Sequence, residues 1–269
     1  MKKNCGVSSA VTGKTRTRDP TMLDCSSVED AITSLGGLLG MSRDDLRGSI
    51  KCCAIDWHHS SVAPEDQVVQ HLGYEDDCAL PQPTSIRWFH ATRAPVGSMF
   101  EDGLLTTNSA LPKLWAFLGA VASRWTPERE WRAYRRSFDR ADGQFSQQFH
   151  HKSCIQGWEG PFAFLVKDAA LHKHADHKDF TKICEALEDI CMDYEKRFGH
   201  PLREAYEAAT RPCLVIFTRP GEWHGAVKAA LNYVHREVVG LDQSFESNTN
   251  FNGRGVAVPP SWIDSVEWL

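Results

Sequence analysis

This sequence predicts an α+β fold, with a small helical region ahead of a strand-bearing core. Three observations carry that prediction. Apolar runs of strand length recur from residue 86 onward, as in "IRWFHAT", "GPFAFLVKD" and "PCLVIFTR". Between them lie amphipathic stretches; in the clearest, "DFTKICEALEDICMDYEKRF", Ile183, Leu187, Ile190, Cys191 and Tyr194 recur at three- and four-residue spacings. Strands and helices do not alternate regularly, which disfavours a doubly wound parallel sheet.

Taken in chain order, residues 1–22 are polar, rich in Ser, Thr, Lys and Arg, and without periodicity, so a flexible N-terminus is expected there. Residues 23–80 read as a helical N-terminal region. Ser26 stands three residues before Glu29 in capping-box spacing, and Gly36-Gly37 is expected to end that helix. Ser42 and Asp45 repeat the signal, and Pro64 and Gly73 bracket a third short helix. The two prolines of "LPQPTS" mark a linker before a core spanning 85–269. In that core "IRWFHAT" predicts a strand, "APVGSMFEDGLL" a helical turn closed by Gly103, "KLWAF" a short strand and "LGAVASRW" a helix. Pro212 and Pro220 bound the apolar strand "PCLVIFTR".

Composition excludes some classes of function. The chain has 269 residues, 42% hydrophobic, with a formal net charge of −5. An acidic total argues against coating nucleic acid by charge alone, though a local basic patch is compatible with it. No run approaches the roughly 18 apolar residues of a membrane span. No secretory leader is visible, and nine scattered cysteines fit free thiols in a cytoplasmic protein.

Several chemistries lack their spacing. Cys52-Cys53 with His58 and His59, and the trio His172, His174 and His177, do not present paired ligands two to four residues apart. No CxxC, P-loop, GxGxxG or GxSxG occurs, so no metal is expected, nor a Rossmann turn or nucleophile elbow. The segment Arg124–Arg140 interleaves six arginines with Trp125, Trp131, Tyr134 and Phe138. Arginine pairs with phosphate and aromatic faces stack on bases, which makes Arg124, Arg132, Arg135 and Arg136 candidate acceptor-binding residues. The competing reading is an amphipathic helix with its rings in the core and its arginines in water.

A strand ending in His-x-Thr ("WFHATR", 88–93), a turn ending in Gly-Leu ("FEDGLL", 100–105), "KLWAF" (113–117) and "HREVVGL" (235–241) resemble, in order and separation, the histidine-containing branch of the ADP-ribosyltransferase superfamily. The tail "VAVPPSWIDSVEWL" is similar to the family's end, where a valine-proline turn follows the glutamate strand. The resemblance covers roughly residues 85–269. It implies a split mixed or antiparallel sheet with NAD bound between facing sheets. His90 would hold the adenosine ribose, supported by Ala91 and Thr92 at the strand end. Trp115, or Phe117, would stand where the family stacks a tyrosine on nicotinamide. Glu237 would be the catalytic carboxylate, stabilising positive charge on the ribose as the nicotinamide bond breaks.

The implied function is NAD-dependent transfer of ADP-ribose to a macromolecular acceptor, nucleic acid slightly favoured over protein. Stand-alone size resembles bacterial toxin–antitoxin and anti-phage transferases, which implies a neutralising antitoxin partner. An NAD glycohydrolase, an RNA 2′-phosphotransferase on the same fold, and a non-catalytic adaptor that kept the scaffold are the alternatives. Glu246, in a polar Asn-rich loop, and the near-terminal Glu267 compete with Glu237, whose neighbours on both sides read as buried.

Overall fold

The computed structural model describes residues 21–56, 60–154, 160–171, 180–244 and 247–269. Residues 1–20, His58, His59, His172, His174, His177 and Glu246 lie outside the described residues. The elements run β1 (Met22–Leu23), α1 (Val28–Leu39), α2 (Arg43–Cys52), α3 (Pro64–His71), β2 (Ser85–Ala94), α4 (Thr107–Ala122), α5 (Glu128–Asp139) and α6 (Gln144–Cys154). They continue with β3 (Phe162–Phe164), α7 (Lys167–Ala170), α8 (Glu185–Phe198), α9 (Leu202–Ala209), β4 (Arg211–Pro220), α10 (Ala226–Val239), β5 (Asn250–Asn252) and β6 (Ile263–Trp268).

The fold is α+β, and its strands form one open, largely antiparallel sheet of six strands in the order β5-β3-β2-β4-β6, with β1 parallel to β2 on the β3 side. The two facing sheets implied by the resemblance do not occur among the described residues. β2 and β4 form the spine, antiparallel from Ser85↔Pro220 to Ala94↔Arg211. Strand alternation sends Ile86 and Trp88 to one face and Phe89 and Ala91 to the other. The first pair joins Val215 and Phe217 in a core shared with α1, α2, α3 and α10; the second joins Leu214, Ile216 and Ala170 in a smaller one. A third core, built from α4, α5, α6, α8 and α9, packs around Tyr134 and Tyr194.

Residues 23–80 do not stand apart from residues 85–269. Leu35, Leu46, Ile50, Val68 and Val69 share the core of Trp88 and Phe217. Asp24, wholly buried, accepts from Arg87 of β2 at 2.6 Å. The first helix is capped one residue later than its spacing predicts: Ser27, not Ser26, accepts from the Asp30 amide, while Ser26 caps the Asp24 carboxylate. It also continues past Gly36-Gly37 to Gly40, whose φ of +67° closes it. Ser42 caps α2 and Pro64 opens α3 as predicted.

Two predicted strands are helices. "KLWAF" lies inside α4, where Leu111, Leu114, Trp115, Leu118 and Ala122 repeat at helical spacing and pack on α5. "HREVVGL" lies at the end of α10. Its apolar residues belong to a longer helical pattern through Ala226, Ala229, Ala230, Tyr233 and Val234 that a seven-residue window hides. The segment 95–102 forms turns rather than a helical turn. No helix among the described residues is long and apolar enough to cross a membrane.

Candidate functional site

Antiparallel pairing brings the end of β2, the start of β3 and the end of β5 to one end of the sheet. Phe89 pairs with Phe164, and Phe162 pairs with Asn252. His90, half-buried on β2, donates from Nδ1 to the main-chain carbonyl of Phe162 at 2.5 Å. That bond fixes the Nδ1–H tautomer and leaves Nε2 as an acceptor, with no further hydrogen bond among the described residues. Burial pushes the imidazole pKa below its usual 6.5, and the Phe162 carbonyl only partly offsets this, so the ring is neutral at physiological pH.

Exposed apolar residues lie on β3 and in the loops that follow β2 and β5. Phe162 is 41% exposed, Val96 68%, Met99 71% and Val256 69%. Val96 and Met99 belong to the loop after β2, and Val256 to the loop after β5. Leu104 and Val258 join the two loops by reciprocal amide–carbonyl bonds of 3.0 Å. Gly103 is required at that junction: its φ is +78°, and a Cβ there would meet the Val258 carbonyl oxygen at 2.0 Å. Each loop also holds a non-glycine residue in the left-handed region, Phe100 at φ 51° and Arg254 at φ 49°. Such conformations cost about 1–3 kcal/mol and gather where loops line binding sites. Phe162, Arg254 and Asn252, whose Oδ1 accepts from the Arg254 amide at 2.8 Å, were not singled out by sequence. Only the short apolar run after Gly160-Pro161 hints at Phe162.

Comparison with protein-family models, curated proteins and solved structures finds no match.

The other predicted site residues do not gather here. Thr92 follows His90 on the same strand face, half-buried opposite Cys213, whereas Ala91 points into the opposite core. Trp115 is buried in α4 against Trp131, Tyr134 and Phe138, so it presents no face for a ring to stack on. Phe117, also on α4, packs edge-on against Tyr206. Glu237 sits on the last turn of α10, exposed, with Gln243 donating to its carboxylate at 2.6 Å. It is neither on a strand nor flanked by burial on both sides, so the physical reason for choosing it is gone. The strand that precedes the valine-proline turn is β5, and its residues are Asn250, Phe251 and Asn252.

Among the described residues the only glutamate borne by a strand is Glu267 of β6. It pairs with Leu214, next to Ala91, and so faces the side of the sheet away from His90, where Lys167 holds it at 2.6 Å. Arg93, the residue after Thr92, binds the Thr210 hydroxyl and the carbonyls of Thr181, Glu207 and Thr210 at 2.8–3.0 Å. It fastens the end of α9 to β2, with four of its five N–H donors engaged in those bonds.

The aromatic residues of 124–140 follow the amphipathic reading. Trp131, Tyr134 and Phe138 are buried, and Trp125 is covered by Arg124 at 3.9 Å and by His200, stacked at 5.2 Å. Arg132, Arg135 and Arg136 remain on the exposed face of α5. No group of three His, Cys, Asp or Glu side chains among the described residues is placed to hold a metal ion. Cys52 is exposed and its neighbour Cys53 buried, so their thiols diverge.

Proposed function

We propose that this chain binds an NAD-class dinucleotide where β2, β3 and β5 meet. The observation that carries this reading is the tautomer lock at His90: Nδ1 is committed to the Phe162 main-chain carbonyl, and Nε2 is left as an acceptor where the strands meet. A neutral acceptor takes a ribose hydroxyl. An exposed guanidinium at Arg254 supplies charge for the pyrophosphate.

Cleavage of the nicotinamide–ribose bond, with transfer of ADP-ribose to an acceptor, is the second reading. It is favoured by the position of β5, which precedes the valine-proline turn and lies one strand from β2. Asn250 and Asn252 stand where the resemblance implies a glutamate, and an amide does not stabilise an oxocarbenium-like charge as a carboxylate does. Binding without rapid cleavage follows.

The test is titration of the protein with NAD by calorimetry, with nicotinamide release measured in parallel. Saturable binding is expected, weakened about tenfold in His90→Ala, the effect of one lost hydrogen bond. Glu237→Gln is expected to bind as wild type does. Absence of saturation at several millimolar NAD, or equal binding by His90→Ala, would overturn the proposal. Rapid nicotinamide release that Glu237→Gln abolishes would return that carboxylate to catalysis.

A further inference from the structure

From the outer face of α5 we infer a docking surface for the phosphate backbone of duplex nucleic acid, independent of the nucleotide site. At about 100° per residue, Arg129, Arg132 and Arg136 form one stripe, and Arg140 continues it just past the helix end. The stripe lies opposite the buried Trp131, Tyr134 and Phe138, so all four guanidinium groups face solvent. At 1.5 Å rise per residue it is about 16 Å long, which spaces its charges about one helical turn apart.

The partners of these arginines are replaceable. Arg129 and Arg136 have no ion-pair partner among the described residues. Arg132 pairs with Glu128 and Arg140 with Asp142, but those side chains are 50–75% exposed. Exposed pairs contribute about 0–1 kcal/mol, so a phosphate displaces the carboxylate at little cost. Lys196 and Arg197 add two cations beside Ser137 at the C-terminal end of the helix.

What the face lacks defines the partner. Trp131, Tyr134 and Phe138 are buried and Trp125 is already stacked on by Arg124 and His200, so unpaired bases find no free platform of rings on this face. A rigid row of guanidinium groups without stacking rings fits paired strands, whose phosphates are presented at regular intervals. The acidic total of the chain does not oppose this, because charge acts locally within a Debye length of about 8–10 Å.

The test is fluorescence anisotropy of labelled 20-base-pair DNA and RNA duplexes, and of one single strand, titrated with the whole protein at several salt concentrations. Both duplexes are expected to bind alike and better than the single strand, with log K falling against log salt at a slope of about −3 to −4. Arg129→Glu/Arg132→Glu/Arg136→Glu is expected to lose at least about tenfold in affinity and about 2.7 units of slope. Arg129→Gln/Arg136→Gln, the milder variant, is expected to lose about 1.8 units of slope at unchanged melting temperature. Unchanged slopes in both variants, or tighter binding to the single strand, would overturn the inference. Equal binding by phosphatidylserine vesicles would overturn it too.

Discussion

His90 of β2 and Phe162 of β3 are tied by a 2.5 Å bond from the imidazole Nδ1 to the main-chain carbonyl, across the strand pair that ends at the candidate site. The bond costs the ring its rotational freedom and determines which nitrogen faces outward. Because burial depresses the His90 pKa from 6.5, the sign of its pH dependence follows. The stability gained from the neutral ring is fully present above the unfolded value and is lost as pH falls through the lower folded value. Melting temperature is therefore expected to be flat from pH 8 to about 6.5 and to fall below it. His90→Gln is expected to show a shallower fall. His235, also buried with a lowered pKa, contributes the same sign in both proteins, so only the difference reports His90. Identical profiles would refute the assignment.

Trp115 separates packing from ligand binding. It is 3% exposed and touches Trp131, Tyr134 and Phe138. Trp115→Ala is expected to cost about 3–5 kcal/mol in urea denaturation, the range for emptying a buried aromatic site. NAD affinity of the protein that remains folded is expected to be unchanged. Full stability with lost NAD binding would put the indole at the ligand instead.

The ion pair between Asp24 and Arg87 fastens the N-terminal strand to the sheet, with the carboxylate side chain 0% and the guanidinium 23% exposed. Removing one partner strands the other charge, so Arg87→Ala is expected to destabilise the fold by about 3 kcal/mol. The double change Asp24→Leu/Arg87→Met is expected to recover part of that loss in the same urea titration. A single-variant cost under about 0.5 kcal/mol, the range of an ordinary surface change, would show that the pair contributes little.

Where the sequence was legible, the cause lay within a few residues. Caps at Ser42 and Pro64 were readable because a hydroxyl three residues before an amide, or a proline at the first turn, acts locally. The spine strands were readable because β2 and β4 are apolar on both faces, as central strands must be. The amphipathic reading of α5 needed only the spacing of Trp131, Tyr134 and Phe138.

The errors had long-range causes. "KLWAF" and "HREVVGL" are apolar segments too short to tell strand from helix, and the helices containing them are decided by packing on α5 and on α1–α3. Glu237 followed the second of these into the wrong element.

By itself the sequence determined the fold class, the central strands with His90 at their heart, and the capped helices ahead of them. Tertiary structure alone decided that the N-terminal helices belong to the same core and that Phe162, Asn252 and Arg254 join His90. Those residues lie 72, 162 and 164 positions away in the chain, and only strand pairing brings them together. Periodicity reports which side of an element is buried, not which distant element buries it. A site assembled from strand ends therefore becomes visible only once the register is known.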